Sequence, residues 1–290
     1  MELSLKLLDE QALLEQDADL LTSIGYALET GTVFEQNYVL AAQIYSIAEQ
    51  MIGGEKALNN LAWLMLNGFG IEQNIPRAIE LFTKAAEAGD TTAMVNLGNI
   101  YEFPLSGEAP DYRRAIRWYK QAAECGNIKG LFNYANMYHH GYGVRKNRKK
   151  AYEIFDDLYQ FGYPGTAFYM GLYHECGYVV KRDYQKAMEY YSRGAEEGSP
   201  YCLNQIATTY AKGRGVIKDY AAAFEYYKKA AALGDTLAMS NIGYCYEVGQ
   251  GVEQDLGKAR KWYEAAAKES EPHATEALER LFSGGQHGKL

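Results

Sequence analysis

The stretch TTAMVNLGNIYEF, residues 91–103, decides the fold of this 290-residue chain, because much the same letters return 145 residues later as AMSNIGYCYEV. Ala93, Leu97 and Tyr101 are spaced by four, which is typical of one face of a helix. Residues 110–127, PDYRRAIRWYKQAAECGN, add a second apolar stripe, with aspartate at the N-cap position and glycine at the end. The stretch therefore predicts two antiparallel helices.

This helix pair recurs through the chain. One alanine of the second helix marks each copy at intervals of 36 or 37 residues: Ala41, Ala78, Ala115, Ala151, Ala187, Ala223 and Ala259. A fixed period of this length indicates a solenoid, in which each unit packs on its neighbours. We predict an all-α, α/α solenoid of seven antiparallel helix pairs over residues 19–270. Residues 1–18 and 271–282 are predicted to be capping helices, and residues 283–290 a disordered tail.

One position of the first helix holds only small residues. Glycine or alanine fills it in every copy: Gly25, Ala62, Gly98, Ala135, Gly171, Ala207 and Gly243. Glycine inside a helix is about 1 kcal/mol less favourable than alanine, so the pattern predicts a helix crossing at close range. Large residues of the second helices should fill the space beside it: Trp118, Tyr119, Phe155, Tyr191, Tyr227, Trp262 and Tyr263.

The loops between paired helices carry recurring glycines, such as Gly68 and Gly70. We expect them to reverse the chain at positive φ and not to bind phosphate, since no lysine-serine follows. The pattern A-x-x-x-L-G-x-x-Y, then G-x-G-V, then D-x-x-K-A-x-x-W/Y-Y-x-x-A-A-x-x-G resembles the Sel-one-like repeat, a relative of the tetratricopeptide repeat. The resemblance covers about Asp19 to Ser270. It implies a right-handed superhelix with the first helix of each pair on the concave side. It also implies a role in holding proteins together, often in bacteria, and no reaction.

Composition excludes several classes of function. The net charge of −8 argues against general nucleic-acid binding, which needs a basic surface. No apolar run is long enough to span a bilayer, and charges interrupt the first twenty residues, which is unlike a signal peptide. We therefore expect a cytoplasmic protein, a monomer or weak dimer, whose partner is neither nucleic acid nor membrane.

Few residues point to chemistry. The four cysteines, Cys125, Cys176, Cys202 and Cys245, fall in different registers of the repeat, so free thiols are expected. The histidines His139, His140 and His174 end successive first helices, where a polar rim and a zinc site are the alternatives. We favour the rim. The chain shows no nucleophile, zinc-protease or Walker motif, so we predict no cofactor, no metal and no enzyme.

The run RKNRKK, Arg145 to Lys150, is a block of basic residues across one loop and the next helix start. It permits two interpretations, a solvated loop or a docking patch for an acidic partner. A row of amides two residues before the small position is similarly open: Asn60, Asn96, Asn133, Gln205 and Asn241. Each amide could bond the neighbouring repeat's backbone, or the row could hold the backbone of an extended peptide.

Positions beside the amides vary between copies and are therefore available for recognition. They are Asn59, Val95, Phe132, Phe168, Asn204 and Ser240, then Trp63, Asn99, Asn136, Leu172, Thr208 and Tyr244. Interface hot spots favour large aromatic residues, so Trp63, Phe132, Phe168 and Tyr244 are the first candidate anchors.

We expect the partner to cross repeats three to five. Phe132 and Phe168 would form an apolar floor there, with amides of Asn96, Asn99, Asn133 and Asn136 beside it. Glu102, His139 and Glu175 would line the rim, and His139 could change charge near neutral pH. The predicted function is a non-catalytic scaffold or adaptor that binds a protein or peptide. The alternatives are an immunity protein for a bacterial toxin and, third, an enzyme or metal-binding protein.

Overall fold

The computed structural model describes residues 15–51, 54–105 and 107–282. These residues form fifteen helices and no strand, which confirms the all-α fold class. The predicted capping helix at 1–18 lies outside the described residues except for its last four positions, which belong to the first helix. The predicted tail at 283–290 lies outside them entirely.

The chain divides into two compact units, Met1–Asn147 and Arg148–Leu290. In the first unit, three helix pairs (repeats one to three) precede the first helix of repeat four. Its helices are α1 Glu15–Thr30, α2 Tyr38–Glu49, α3 Glu55–Asn67, α4 Ile75–Glu87, α5 Thr91–Glu102, α6 Tyr112–Glu124 and α7 Ile128–His140. Each helix packs on the next in sequence, and α1 also contacts α3.

The second unit begins with the second helix of repeat four and continues with the pairs of repeats five to seven and a last helix. Its helices are α8 Arg148–Gln160, α9 Thr166–Cys176, α10 Tyr184–Glu196, α11 Pro200–Lys212, α12 Tyr220–Ala232, α13 Thr236–Val248, α14 Leu256–Lys268 and α15 Pro272–Phe282. Here too, successive helices pack on each other. The last helix occupies the segment in which a cap was predicted.

Local signals set where the helices begin and end. Asp111 accepts a hydrogen bond from Arg114 N at the start of α6, and Asn74 accepts one from Arg77 N at the start of α4. Such caps satisfy backbone donors that a helix leaves unpaired. Gly68 ends α3 in the left-handed conformation, with φ of 71°. Gly70, with φ of 69°, lies so close to Tyr38 that an added Cβ would be 2.2 Å from its carbonyl carbon. The loop glycines are therefore structural, as predicted.

Odd-numbered repeats fill the small-residue position differently from even-numbered ones. In each odd repeat the residue is glycine, and a tyrosine ring from the second helix of the same pair lies over it. A Cβ added there would come within 2.3 to 2.7 Å of a ring carbon. The close element is thus a side chain and not a second backbone. The pairs are Gly25–Tyr45, Gly98–Tyr119, Gly171–Tyr191 and Gly243–Tyr263.

The tyrosine hydroxyl in each odd repeat donates to a glutamate one turn after the glycine. Tyr45 bonds Glu29 at 2.7 Å, Tyr119 bonds Glu102 at 2.7 Å, Tyr191 bonds Glu175 at 2.8 Å and Tyr263 bonds Glu247 at 2.7 Å. We call these residues the Gly–Glu–Tyr set. At the same three positions, the even repeats have the sets Ala62/Leu66/Phe82, Ala135/His139/Phe155 and Ala207/Ala211/Tyr227.

Candidate partner-binding face

The predicted amides are joined into a hydrogen-bond chain across three repeats of the first unit. Asn96 Nδ2 donates to Asn59 Oδ1 at 3.0 Å, and Asn59 Nδ2 donates to Asn60 Oδ1 at 3.1 Å. Asn60 Nδ2 then donates to Tyr45 Oη at 3.2 Å, and that phenol donates to Glu29. The acceptors of these amides are side chains and not the backbone of the neighbouring repeat, which was one of the two alternatives. These amides couple adjacent repeats.

A second polar cluster gathers three predicted site residues around Tyr119, which is fully buried. Its hydroxyl lies 2.7 Å from Glu102 Oε2 and 2.8 Å from Asn99 Oδ1. Asn133 of the following repeat hydrogen-bonds the same phenol. Burial raises the pKa of the Glu102 carboxyl, although the Tyr119 hydrogen bond opposes the shift. These three residues therefore serve packing as well as any partner.

Each of the equivalent glutamates of the second unit also pairs with an arginine, whereas Glu29 and Glu102 of the first unit have no ion-pair partner among the described residues. Arg214 Nη1 bonds Glu175 Oε1 on the side opposite Tyr191. Arg280 Nη2 bonds both oxygens of Glu247, at 2.8 and 3.0 Å. The two carboxylates are thus held between a phenol and a guanidinium, an arrangement that compensates their burial.

Two predicted rim histidines are buried. His139 and His174 are 6% and 5% exposed, whereas His140 is exposed. His139 occupies the glutamate position of its repeat, which faces the interior, so the expectation of an exposed rim residue was wrong. His174 stacks on Tyr190 at 5.4 Å, and neither ring nitrogen has a hydrogen-bond partner among the described residues. Burial lowers the pKa of His174, which favours the neutral ring.

Some of the positions that were expected to be available for recognition are buried. Val95, Asn204 and Ser240 are 2%, 4% and 5% exposed, so their side chains are largely buried. Trp63, Asn136 and Phe132 are partly buried. Trp63 packs on Phe69 at 5.3 Å, and Asn136 Oδ1 is buried without a hydrogen-bond partner among the described residues. Of the four candidate anchors, Tyr244 is the most open, at 48%.

An apolar groove of about 360 Å³ opens on the first-helix side of the second unit. Phe168 of α9 lies at one end, 6.1 Å from the ring of Tyr201 at the start of α11. Tyr201, Leu233 and Leu237 are 64%, 54% and 41% exposed. Asn204, Gln205 and Asp235 add polar atoms to the lining.

A second groove of about 380 Å³ shares Leu237 with the first and continues to α15. It is lined by Tyr244 and Asn241 of α13 and by His273, Glu276 and Arg280 of α15. Together the two hollows form a surface that we call the first-helix groove, defined by Phe168, Tyr201, Leu237 and Tyr244. The structure therefore brings the predicted anchors Phe168 and Tyr244 to one contiguous surface of the second unit.

Tyr201 and Leu237 were missed from the sequence, although a signal exists. They occupy one register, three residues before Asn204 and Ser240. In the first unit the same register holds the polar residues Lys56, Thr92 and Lys129. A change from polar to aromatic or aliphatic residues in an exposed register marks repeats six and seven as the apolar part of this face.

All four cysteines are free, as expected, and burial raises the pKa of the Cys202 and Cys245 thiols to about 11. Within residues 15–51, 54–105 and 107–282, no group of three or more His, Cys, Asp or Glu side chains could hold a metal ion. In the same residues, no helix has both the length and the apolar character to cross a membrane.

Sequence and structure comparisons place this architecture among known proteins. The family model described as Sel1 repeat matches seven segments, which confirms the resemblance seen in the sequence. The matched residues are 21–51, 55–90, 91–127, 128–156, 165–199, 200–235 and 236–270. No curated protein matches the chain significantly.

Solved structures share the fold. A Sel1 repeat protein from Oxalobacter formigenes is 26% identical with a TM-score of 0.66, and the match covers 91% of this chain and 76% of that one. The protective antigen c5321 of uropathogenic Escherichia coli, with an SLR fold, is 28% identical with a TM-score of 0.73, and the match covers 92% of this chain but only 56% of that one. The immunity protein Pa5087 of Pseudomonas aeruginosa is 18% identical with a TM-score of 0.52, covering 80% of this chain and 88% of that one, a likeness of fold alone.

Proposed function

Because the chain belongs to the Sel1 repeat family, whose members typically act as protein-interaction scaffolds, we propose that it is a non-catalytic scaffold or adaptor. It holds an extended segment of a partner protein in the first-helix groove of the second unit. The observation that carries this proposal is the contiguous exposure of Tyr201, Leu237 and Tyr244 beside the half-buried Phe168.

The groove chemistry suits an extended peptide with apolar side chains. Large aromatic residues at the centre of a surface supply most of the binding free energy in typical interfaces. Gln205 lies in the same lining, and its side-chain amide has no partner among the described residues. An amide can donate to and accept from a peptide backbone at once. Apolar side chains of the partner would enter the hollow beside Phe168, Tyr201 and Leu237, and Gln205 of the same lining would hold the backbone there.

The predicted contacts of the first unit form a separate part of this proposal. Trp63 and Phe132 are aromatic residues of first helices, and they remain candidate anchors there. The amides Asn60, Asn96, Asn99 and Asn133 take part in hydrogen bonds within the protein. We therefore place the main binding free energy on the second unit. A partner that crosses repeats three to five stays a prediction.

The test is comparative capture followed by titration. Wild type, Tyr201→Ala/Leu237→Ala and the control Ile217→Ala/Leu256→Ala are immobilised and exposed to lysate of the native host. Ile217 and Leu256 are apolar, 91% and 49% exposed, and outside the groove lining. A candidate partner is enriched by wild type and control but lost by the groove variant. The purified partner should then bind the groove variant at least about tenfold more weakly, since an anchor truncation costs about 2 kcal/mol.

Equal affinity for the groove and control variants would overturn the groove assignment. The same measurement addresses the alternative of an immunity protein. The support for that alternative is a likeness of fold to immunity proteins such as Pa5087. It predicts a folded toxin as the captured partner, and neutralisation of that toxin by this protein. A short peptide from the partner that binds as well as the whole partner would favour the scaffold.

A further inference from the structure

The first unit has a strongly basic surface, although the protein as a whole is acidic. Residues 113–147 contain seven lysines or arginines and a single acidic residue, Glu124, although the chain has a net charge of −8. Six of these cations lie exposed on α6 and on the loop after α7, and two of the six are paired with carboxylates, which leaves four. We call them the basic edge: Arg113, Arg117, Arg145 and Lys146.

The two segments of the basic edge are in contact through their backbones. An added Cβ at Gly143 would lie 2.2 Å from the Tyr112 carbonyl oxygen and 2.9 Å from Arg113 N. The loop that carries Arg145 and Lys146 thus rests on the first turn of α6. Arg117 follows Arg113 by four residues, so the two project from the same side of the helix.

No carboxylate neutralises these cations within the described part of the protein. Nearby charges pair elsewhere, Arg114 with Asp111 at 3.2 Å and Lys120 with Glu124 at 3.3 Å. None of the four basic-edge side chains has an ion-pair or hydrogen-bond partner among the described residues. A cluster of like charges without counter-charge repels itself, and a bound anion would relieve that repulsion.

The fold itself does not require basic residues at these positions. The loop of repeat two, GFGIEQN at 68–74, packs on α2 in the way that GYGVRKN at 141–147 packs on α6. Its equivalents of the basic edge are Val39, Gln43, Glu72 and Gln73. Gln73 donates 2.9 Å to Leu66 O near the end of α3, whereas Lys146 makes no such bond. The charge in repeat four therefore replaces a residue that contributes to local structure.

Aromatic rings lie beside the charges. Tyr142 stacks on Tyr112 at 4.4 Å and on His140 at 5.0 Å, and its side chain is 38% exposed. Arginine forms forked hydrogen bonds to carboxylates, and an exposed ring next to it accepts the apolar part of a partner. We infer that the basic edge binds an Asp/Glu-rich segment of a partner protein, and that it does so independently of the first-helix groove.

Charge argues for a short acidic segment over nucleic acid. Residues 15–102 of the first unit are acidic overall, and a long polyanion would meet that repulsion as well. A protein segment contacts only the edge. The probe is a rhodamine-labelled peptide of alternating glutamate and tyrosine, titrated with the full chain by fluorescence anisotropy at low salt and at about 0.5 M salt, where screening is strong.

Two variants each remove one half of the basic edge. Arg145→Glu/Lys146→Gln converts the loop to the EQ found in repeat two, so folding should be retained, and Arg113→Gln/Arg117→Gln alters the helix. We expect each to weaken peptide binding about tenfold or more, and salt to weaken wild-type binding to a similar degree. The control Lys261→Glu/Lys268→Gln, on exposed positions of α14, makes the same change in net charge as the loop variant and a larger one than the helix variant, and it should change affinity less than about twofold. Tyr201→Ala/Leu237→Ala should bind like wild type.

Three results would overturn the inference. Equal weakening by the edge and α14 variants would mean that only net charge matters. Tighter binding of a single-stranded oligonucleotide of the same charge would assign the edge to nucleic acid. Absence of peptide binding to wild type at low salt would leave the basic edge as a solvated loop.

Discussion

Repeats two and three of the first unit fold into the same helix pair but fill its centre with opposite chemistry. Repeat two uses Ala62, Leu66 and Phe82, an entirely apolar set. Repeat three uses Gly98, Glu102 and Tyr119, which lets the ring lie on the helix backbone and brings a carboxylate to its hydroxyl. Glycine in a helix and a half-buried carboxylate both lower the stability of the fold. The Gly–Glu–Tyr set therefore contributes something other than packing.

That contribution is coupling between unlike repeats. The amide of the even repeat, Asn60, donates to the tyrosine of the odd repeat before it. The amide of the odd repeat, Asn96, donates instead to Asn59 of the even repeat before it. Successive interfaces therefore differ, and a slip by one repeat would leave amides without their acceptors. Specific polar partners of this kind favour one register over its alternatives.

The largest expected loss of stability comes from replacing the glycine of a Gly–Glu–Tyr set by alanine. In Gly98→Ala, the new Cβ would lie 2.3 Å from a Tyr119 ring carbon, and that ring is fully buried. Overpacking costs about 3 kcal/mol here, and alanine returns about 1 kcal/mol of helix propensity. We expect a net loss of about 2 kcal/mol in the free energy of unfolding, measured by urea denaturation.

The matched control converts the whole set. Gly98→Ala/Glu102→Leu/Tyr119→Phe reproduces the residues of repeat two and frees the ring from its carboxylate. The triple variant should recover more than half of the loss. If Gly98→Ala alone were as stable as wild type, the ring would move freely and the two kinds of repeat would not differ in packing.

The sequence predicted what depends on local pattern and missed what depends on stacking. The period, Gly68 at the end of α3 and Asp111 at the start of α6 follow from spacing and propensity within one repeat. The acceptor of Asn96 could not be predicted, because it depends on how far the neighbouring helix is displaced. The burial of His139 was missed for the same reason. Its position holds a polar residue in odd repeats, but the position faces the interior in all repeats. Tyr201 was missed because the registers compared were those nearest the amides.

The next effect is a pH dependence of the free energy of unfolding that comes from the carboxylate of the Gly–Glu–Tyr set. Burial raises the pKa of Glu102 above its ordinary value of 4.5. A carboxyl with a raised folded-state pKa stabilises the protein most below its unfolded pKa, and this contribution is lost as pH rises through the folded pKa. Glu102→Gln has no such loss and keeps a hydrogen-bond acceptor for Tyr119. Above pH 4.5, the stability of the variant relative to wild type should therefore rise with pH until Glu102 is fully ionised in the folded protein.

The second unit supplies a control of opposite sign. Glu247 lies 2.8 Å from Arg280, so Glu247→Gln removes the charge that this guanidinium pairs with. We expect no gain for Glu247→Gln at neutral pH. Urea midpoints measured at several pH values between 4 and about 7 test the expectations for both variants. Parallel pH profiles for wild type and Glu102→Gln would show that Glu102 titrates alike in the folded and unfolded protein.

The smallest effect concerns the one even repeat that keeps a tyrosine. Tyr227 Oη lies 3.2 Å from Thr208 Oγ1, a neutral partner, and other even repeats have Phe82 and Phe155 in its place. Tyr227→Phe should therefore cost only about 0.5 kcal/mol, because a neutral hydrogen bond at this length contributes little and the apolar ring remains. Tyr119→Phe, which leaves Glu102 without its donor, should cost about 1.5 kcal/mol, as expected for a bond to a charged group. Thermal or urea unfolding of the two variants side by side measures the difference. Equal losses would mean that the hydroxyl matters in the same way in both kinds of repeat, and that the carboxylate of the odd set adds nothing to its stability.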